Sequence, residues 1–129
     1  MAYIRSGGGA GAEKPTLLWT NPDPQATFSS LRLDFSQEDY PFILIEFIDA
    51  RQMGTATKTY RTCIERNQGN SVLYGFFSQG NNGNWVRQMV EHLTYFSIET
   101  CYKVNASDAS TNRNIPTRIY GYKKPPYNI

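Results

Sequence analysis

The segment "QGNNGNW", Gln79 to Trp85, gathers four side-chain amides and an indole within one short loop. A sugar site needs the same groups: an aromatic platform for the C–H face of a ring and amides for its hydroxyls. Gln79, Asn81, Asn82, Asn84 and Trp85 are therefore candidates for glycan or receptor contact. The more ordinary reading is that Trp85 packs inward at the start of its strand while the asparagines turn the chain. Catalytic chemistry has less to work with. The single histidine, His92, has no Ser/His/Asp order with a nucleophile elbow around it. "SGGGAGA" (Ser6 to Ala12) lacks the Lys-Ser/Thr ending and the preceding strand of a P-loop. Glu38 and Asp39 fall in a turn, where solvated carboxylates that cap the chain are the simpler explanation. Cys63 and Cys101 lie in no CxxC or Cys/His spacing and read as small strand residues, not as a bridge or metal site. The sequence predicts no enzyme, no catalytic residue, no metal and no cofactor.

These residues must be positioned by a fold, and composition points to strands. Aromatics make up 14% of the 129 residues, with nine Tyr and seven Phe against three Met. A chain of this length buries roughly two-thirds of its unfolded surface as one domain, without staples. Thirteen Lys and Arg against eleven Asp and Glu give a net charge of +2, with no basic cluster. No nucleic-acid partner is expected. The longest apolar stretch, "FILIEFI", is interrupted by Glu46 and too short to span a bilayer, so no membrane insertion is expected. No apolar run of signal-peptide length opens the chain, which predicts folding in a cytoplasm; "NAS" at Asn105 to Ser107 is accordingly read as a chance glycosylation match.

Residues 1–14 read as a flexible arm, 15–124 as the folded domain and 125–129 as a tail. The arm carries a stub with Tyr3, Ile4 and Arg5 ahead of the Gly-rich segment, either a disordered start or a hook onto a neighbouring subunit. "TLLWT" is stopped by the turn "NPDP". In "SSLRLDF", Leu31, Leu33 and Phe35 share one face and Arg32 and Asp34 the other. "FILIEFID" is the most strand-like segment and is expected at a sheet centre. "TKTYRTCIE" and "SVLYGFF" follow, with Gly75 suggesting a bulge or a close approach of another backbone. Asn82-Gly83 signals a hairpin. "WVRQMVEHL" fits both periods, but with no N-cap and a hairpin before it, strand is preferred. In "YFSIETCYKV" strict alternation puts Phe96, Ile98, Thr100, Tyr102 and Val104 on one face. "RNIPTRIYGYKK" reads as a terminal strand, with Pro116 at its first position or on an edge and Gly121 ending or bending it. About eight short strands describe an all-β antiparallel sandwich, jelly-roll-like.

"LLWTNPDPQATFSSLRLDFS", "YPFILIEFIDAR" and "IPTRIYGYK", in that order, resemble a recurring β domain of bacteriophage tail and tail-fibre proteins and of related prophage minor structural proteins. The resemblance covers roughly Thr16 to Lys123. It implies a non-enzymatic virion structural protein of the tail or tail fibre, made in the host bacterial cytoplasm and contributing to host-surface attachment. It further implies a homo-oligomer, a trimer first, contacting other virion proteins and host surface polysaccharide. Tyr3, Ile4 and Arg5 become candidates for virion attachment, with the Gly-rich segment as tether. Residues 51–84 and 105–114 match nothing in the family pattern. The alternative is a capsid decoration or connector protein that binds only other virion proteins.

Overall fold

The computed structural model describes residues 14–48, 59–66, 72–80 and 83–126. Nine strands lie within them: β1 (Thr16–Thr20), β2 (Leu31–Leu33), β3 (Phe42–Ile48), β4 (Thr59–Glu65), β5 (Val72–Gly80), β6 (Gly83–Glu91), β7 (Phe96–Lys103), β8 (Ala109–Ser110) and β9 (Ile115–Tyr122). They form two antiparallel sheets, β1-β9-β3-β4 and β2-β7-β6-β5, with β8 also paired to β7. The segment that fits both periods is a strand, and "FILIEFI" sits inside its sheet as expected. The chain crosses between the sheets after β1, β2, β4 and β8, with β9 returning between β1 and β3 and β5-β6-β7 forming a meander. The two packed antiparallel sheets are the β-sandwich that the sequence predicts.

The core lies between the sheets. Ile43, Ile45 and Phe47 of β3, Ile119 of β9 and Met89, Phe96 and Ile98 from the opposite sheet are at most 1% exposed. Phe47 stacks on Phe76 across the interface, ring centroids 4.3 Å apart. Asx turns shape "NPDP": Asp23 N–H donates to Asn21 Oδ1 at 2.9 Å and Gln25 N–H to Asp23 Oδ1 at 3.1 Å.

Four local expectations are corrected. The terminal strand β9 is interior, and Pro116 is its second residue. A register shift between Pro116 and Arg118 leaves Thr117 as an extra residue opposite β3. The ladder tolerates proline at such a bulge. Asn21 satisfies the carbonyls there, its amide donating to Pro116 O and its N–H to Thr117 O. Gly121 does not end the strand, which continues to Tyr122; a Cβ on it would stand 2.4 Å from the Tyr40 ring. Gly75 marks neither a bulge nor a backbone approach, because β5 and β6 pair without interruption from Val72 to Gly80. What replaces its side chain is Val86, whose Cγ2 lies 2.8 Å from where a Cβ would be.

The fourth correction concerns β7. Arg87 pairs with Cys101 while Met89 pairs with Ile98, so Glu99 and Thr100 together oppose Gln88. This bulge inverts the alternation: Phe96, Ile98 and Cys101 are buried, and Tyr102 is exposed. Thr100, Tyr102 and Val104 do not share the core face.

The two cysteines form no disulfide and sit on opposite sheets, Cys63 exposed on β4 and Cys101 buried on β7. Partial burial and the Glu65 carboxylate push the Cys63 thiol above its ordinary value of 9.0. Thiol titration of the native protein is expected to label Cys63 alone, slowly at neutral pH and faster as the pH is raised, with Cys101 reacting only after unfolding. Labelling of both in the native state would contradict this packing.

Candidate functional site

The two outer faces of the sandwich differ in chemistry. On the β1-β9-β3-β4 sheet, Glu46 lies between Arg61 on β4, at 2.9 Å, and Arg118 on β9, at 3.9 Å. Both arginines are more than half exposed, while the Glu46 side chain they share is 12% exposed, so solvent screens the pairs from the arginine side. On the opposite sheet, Phe77 of β5, Val86 of β6 and Tyr102 of β7 form one cross-strand row. Phe77 is 64% exposed and Tyr102 37%.

This row borders an open groove of about 490 Å³ that also touches Gln88, Lys103 and Asn105, within the usual volume range of ligand sites. A neighbouring depression of about 330 Å³ connects Phe77 with Asn84 and Val104. The turn after β7 builds the rim. Val104 N–H donates to Asn84 O at 2.8 Å, Lys103 N–H to Asp108 O at 2.9 Å, and Asn105 takes a left-handed φ of 63°. Asparagine tolerates that conformation. The Lys103 stem passes over Gly83, whose φ of +136° is a conformation that glycine takes without strain.

The sequence-predicted residues divide around this groove. Asn84 is exposed at its rim. Trp85 is 8% exposed and lies on the inward face of β6, its ring beneath the Arg113 guanidinium at 5.3 Å; the packing alternative describes it, and a sugar cannot stack on this ring. Gln79 is opposite Asn84 in the β5–β6 ladder. Asn81, Asn82, Tyr3, Ile4 and Arg5 lie outside the described residues. The exposed rings next to the amides are instead Phe77 and Tyr102. The first had a signal, since adjacent Phe76 and Phe77 on one strand must face opposite ways. The second had none, because the bulge that turns Tyr102 outward contains neither Gly nor Pro.

A second depression of about 340 Å³ lies on the same face, at its other end, between Arg32, Val90, His92, Tyr95, Ser97 and Glu99. There Tyr95 is sandwiched, stacked on His92 at 3.9 Å and covered by the Arg32 guanidinium at 3.7 Å. Arg32 is also paired with Asp34 at 2.8 Å, so its charge is already compensated. Among the described residues no three His, Cys, Asp or Glu side chains gather as a metal site requires.

Fold and site together define an antiparallel β-sandwich with one charged outer face and one aromatic, amide-bordered outer face. No protein-family model matches the chain, and no curated protein matches it either.

Proposed function

We propose that this chain is a non-enzymatic virion structural protein of a bacteriophage tail or tail fibre, contributing to host-surface attachment through the groove beside Tyr102. The observation that carries the attachment reading is the exposed row Phe77–Val86–Tyr102 bordered by Gln88, Asn84 and Asn105. Exposed rings beside amides suit the alternating C–H and hydroxyl faces of a saccharide. The tail reading rests on the ordered resemblance of three stretches, which supply β1, β3 and β9 of one sheet and β2 of the other.

Binding of the purified protein to bacterial cells and to their extracted surface polysaccharide tests this reading. Tyr102→Ala is expected to weaken cell binding about tenfold, the loss of ~1.4 kcal/mol from one stacking platform. Trp85→Phe, a change beneath the surface, should leave binding intact in the folded protein. Co-sedimentation with assembled particles without any binding to cells or polysaccharide would instead establish the connector alternative.

A further inference from the structure

The sheet that carries the groove ends in an unusual edge. β5 pairs with β6 through all nine of its residues, and among the described residues no strand pairs with its other side. Every second residue of such a strand directs its N–H and C=O outward, a template for another strand. Soluble proteins protect long edges with charges, prolines, bulges or short length. The other edge strands among the described residues are protected in these ways: β4 carries Arg61 and Glu65, β2 has three residues including Arg32, β8 has two and β1 has five. β5, "VLYGFFSQG", has no charged residue, no proline and no register shift. It also carries Phe77, the most exposed large apolar side chain among those described.

We infer that β5 pairs antiparallel with β5 of a second copy, joining the two groove-bearing sheets into one continuous sheet across a two-fold axis. The occupant is a second copy because the strand is complementary to itself. With the axis at Phe76, the centre of the strand, Val72 faces Gly80 of the second copy and every residue between has a partner. In this register Phe77 stands opposite Gly75 of the second copy, which has no side chain of its own and is flanked by Val86 Cγ2, 2.8 Å from its Cβ position. Its ring already leans to within 3.5 Å of the Cβ position of its own Gly75. The seam is thus centred on two rings and two glycines, and each Phe77 meets a cross-strand neighbour that brings no Cβ of its own. An uncharged strand also meets its own copy without like-charge repulsion. Two-fold closure consumes the edge on both copies and leaves no further β5 template, whereas a three-fold ring would need β5 to match a different surface. The structure thus favours a dimer contact over the trimer that the family resemblance suggests. The seam shares Phe77 and Gly75 with the groove, but the contact is tested by sedimentation and not by cell binding.

Sedimentation velocity and hydrogen exchange of the full chain test the contact. The wild type is expected to sediment at twice the chain mass, and alternate β5 amides should exchange more slowly as protein concentration rises. Phe77→Lys, at a position exposed in the single chain, should sediment at the chain mass with an unchanged far-UV spectrum. Phe77→Leu and Tyr102→Lys, which leave the seam apolar and uncharged, should remain dimeric. A wild type that is monomeric up to its solubility limit would overturn the inference, as would a trimer. A dimer that survives Phe77→Lys with concentration-independent β5 exchange would overturn it too.

Discussion

Arg87→Met is expected to cost at least ~3–5 kcal/mol of stability, enough to leave little folded protein in a domain of marginal stability. Arg87 lies on the inward face of β6, is fully buried and directs its whole guanidinium at backbone carbonyls. Nε donates to Asn114 O at 3.1 Å, and Nη2 donates to Arg113 O at 2.6 Å. Nη1 lies within 3.3 Å of the carbonyls of Phe28, Ser29 and Glu99. These carbonyls belong to the loop before β2, the bulge of β7 and the loop before β9. The bulge presents Glu99 O, and the left-handed Asn114 (φ 49°) lets two successive carbonyls, its own and that of Arg113, accept from one side chain. Burial pushes the guanidinium below its ordinary value, yet arginine remains charged at any physiological pH. Methionine would match the volume approximately but strand several buried acceptors. Lysine has three donors on one nitrogen and cannot span the set, so Arg87→Lys should rescue little. Urea denaturation checks the magnitude against Gln88→Ala, a neighbouring change on the outer face expected to stay within about 0.5 kcal/mol of wild type. Near-equal midpoints for Arg87→Met and Gln88→Ala would show that the carbonyl cage contributes nothing.

Arg87 also shows where reading the sequence stops. Alternation correctly groups Trp85, Arg87 and Met89 on one face and Val86, Gln88 and Val90 on the other. Hydropathy then misdirects, because the face with two valines is the outer one and the face with Arg87 and Glu91 is buried. Only the loop carbonyls compensate Arg87, and they come from segments far apart in the chain, such as Phe28 and Asn114. The strands themselves were legible because each depends on its own residues: "FILIEFI" and "LRL" carry their period locally. The groove was only half legible. Of its amides only Asn84 belongs to the segment the sequence singled out, and Tyr102 faces outward through a bulge set by pairing with β6, which is not a local property.

Glu91→Ala is expected to destabilise the protein by ~3–5 kcal/mol, while the double replacement Arg66→Met with Glu91→Leu should cost far less. Arg66 and Glu91 are both fully buried, with Arg66 Nε 3.1 and 3.0 Å from the two carboxylate oxygens. Arg66 follows β4 in one sheet and Glu91 ends β6 in the other, so the pair ties the sheets together at one end. The remaining guanidinium nitrogens donate to Ser36 O at 3.3 Å and Phe35 O at 2.5 Å, and His92 N–H donates to Glu91 Oε1 at 3.0 Å. Removing the carboxylate alone leaves a buried cation without its counter-charge, whereas removing both leaves an apolar contact near Phe96. A double-mutant cycle by urea denaturation measures the coupling; additive single effects would show that the pair does not act as a unit. Burial raises the Glu91 carboxyl above its ordinary value of 4.5, against the opposing pull of Arg66 and His92 N–H. Over the pH window above 4.5 the folded state therefore holds this proton more firmly than the unfolded chain does. Stability contributed by Glu91 is full below that window and declines as pH rises through it. The stability difference between wild type and Glu91→Gln should accordingly fall with rising pH there; a rise would mean that Arg66 outweighs burial at this carboxylate.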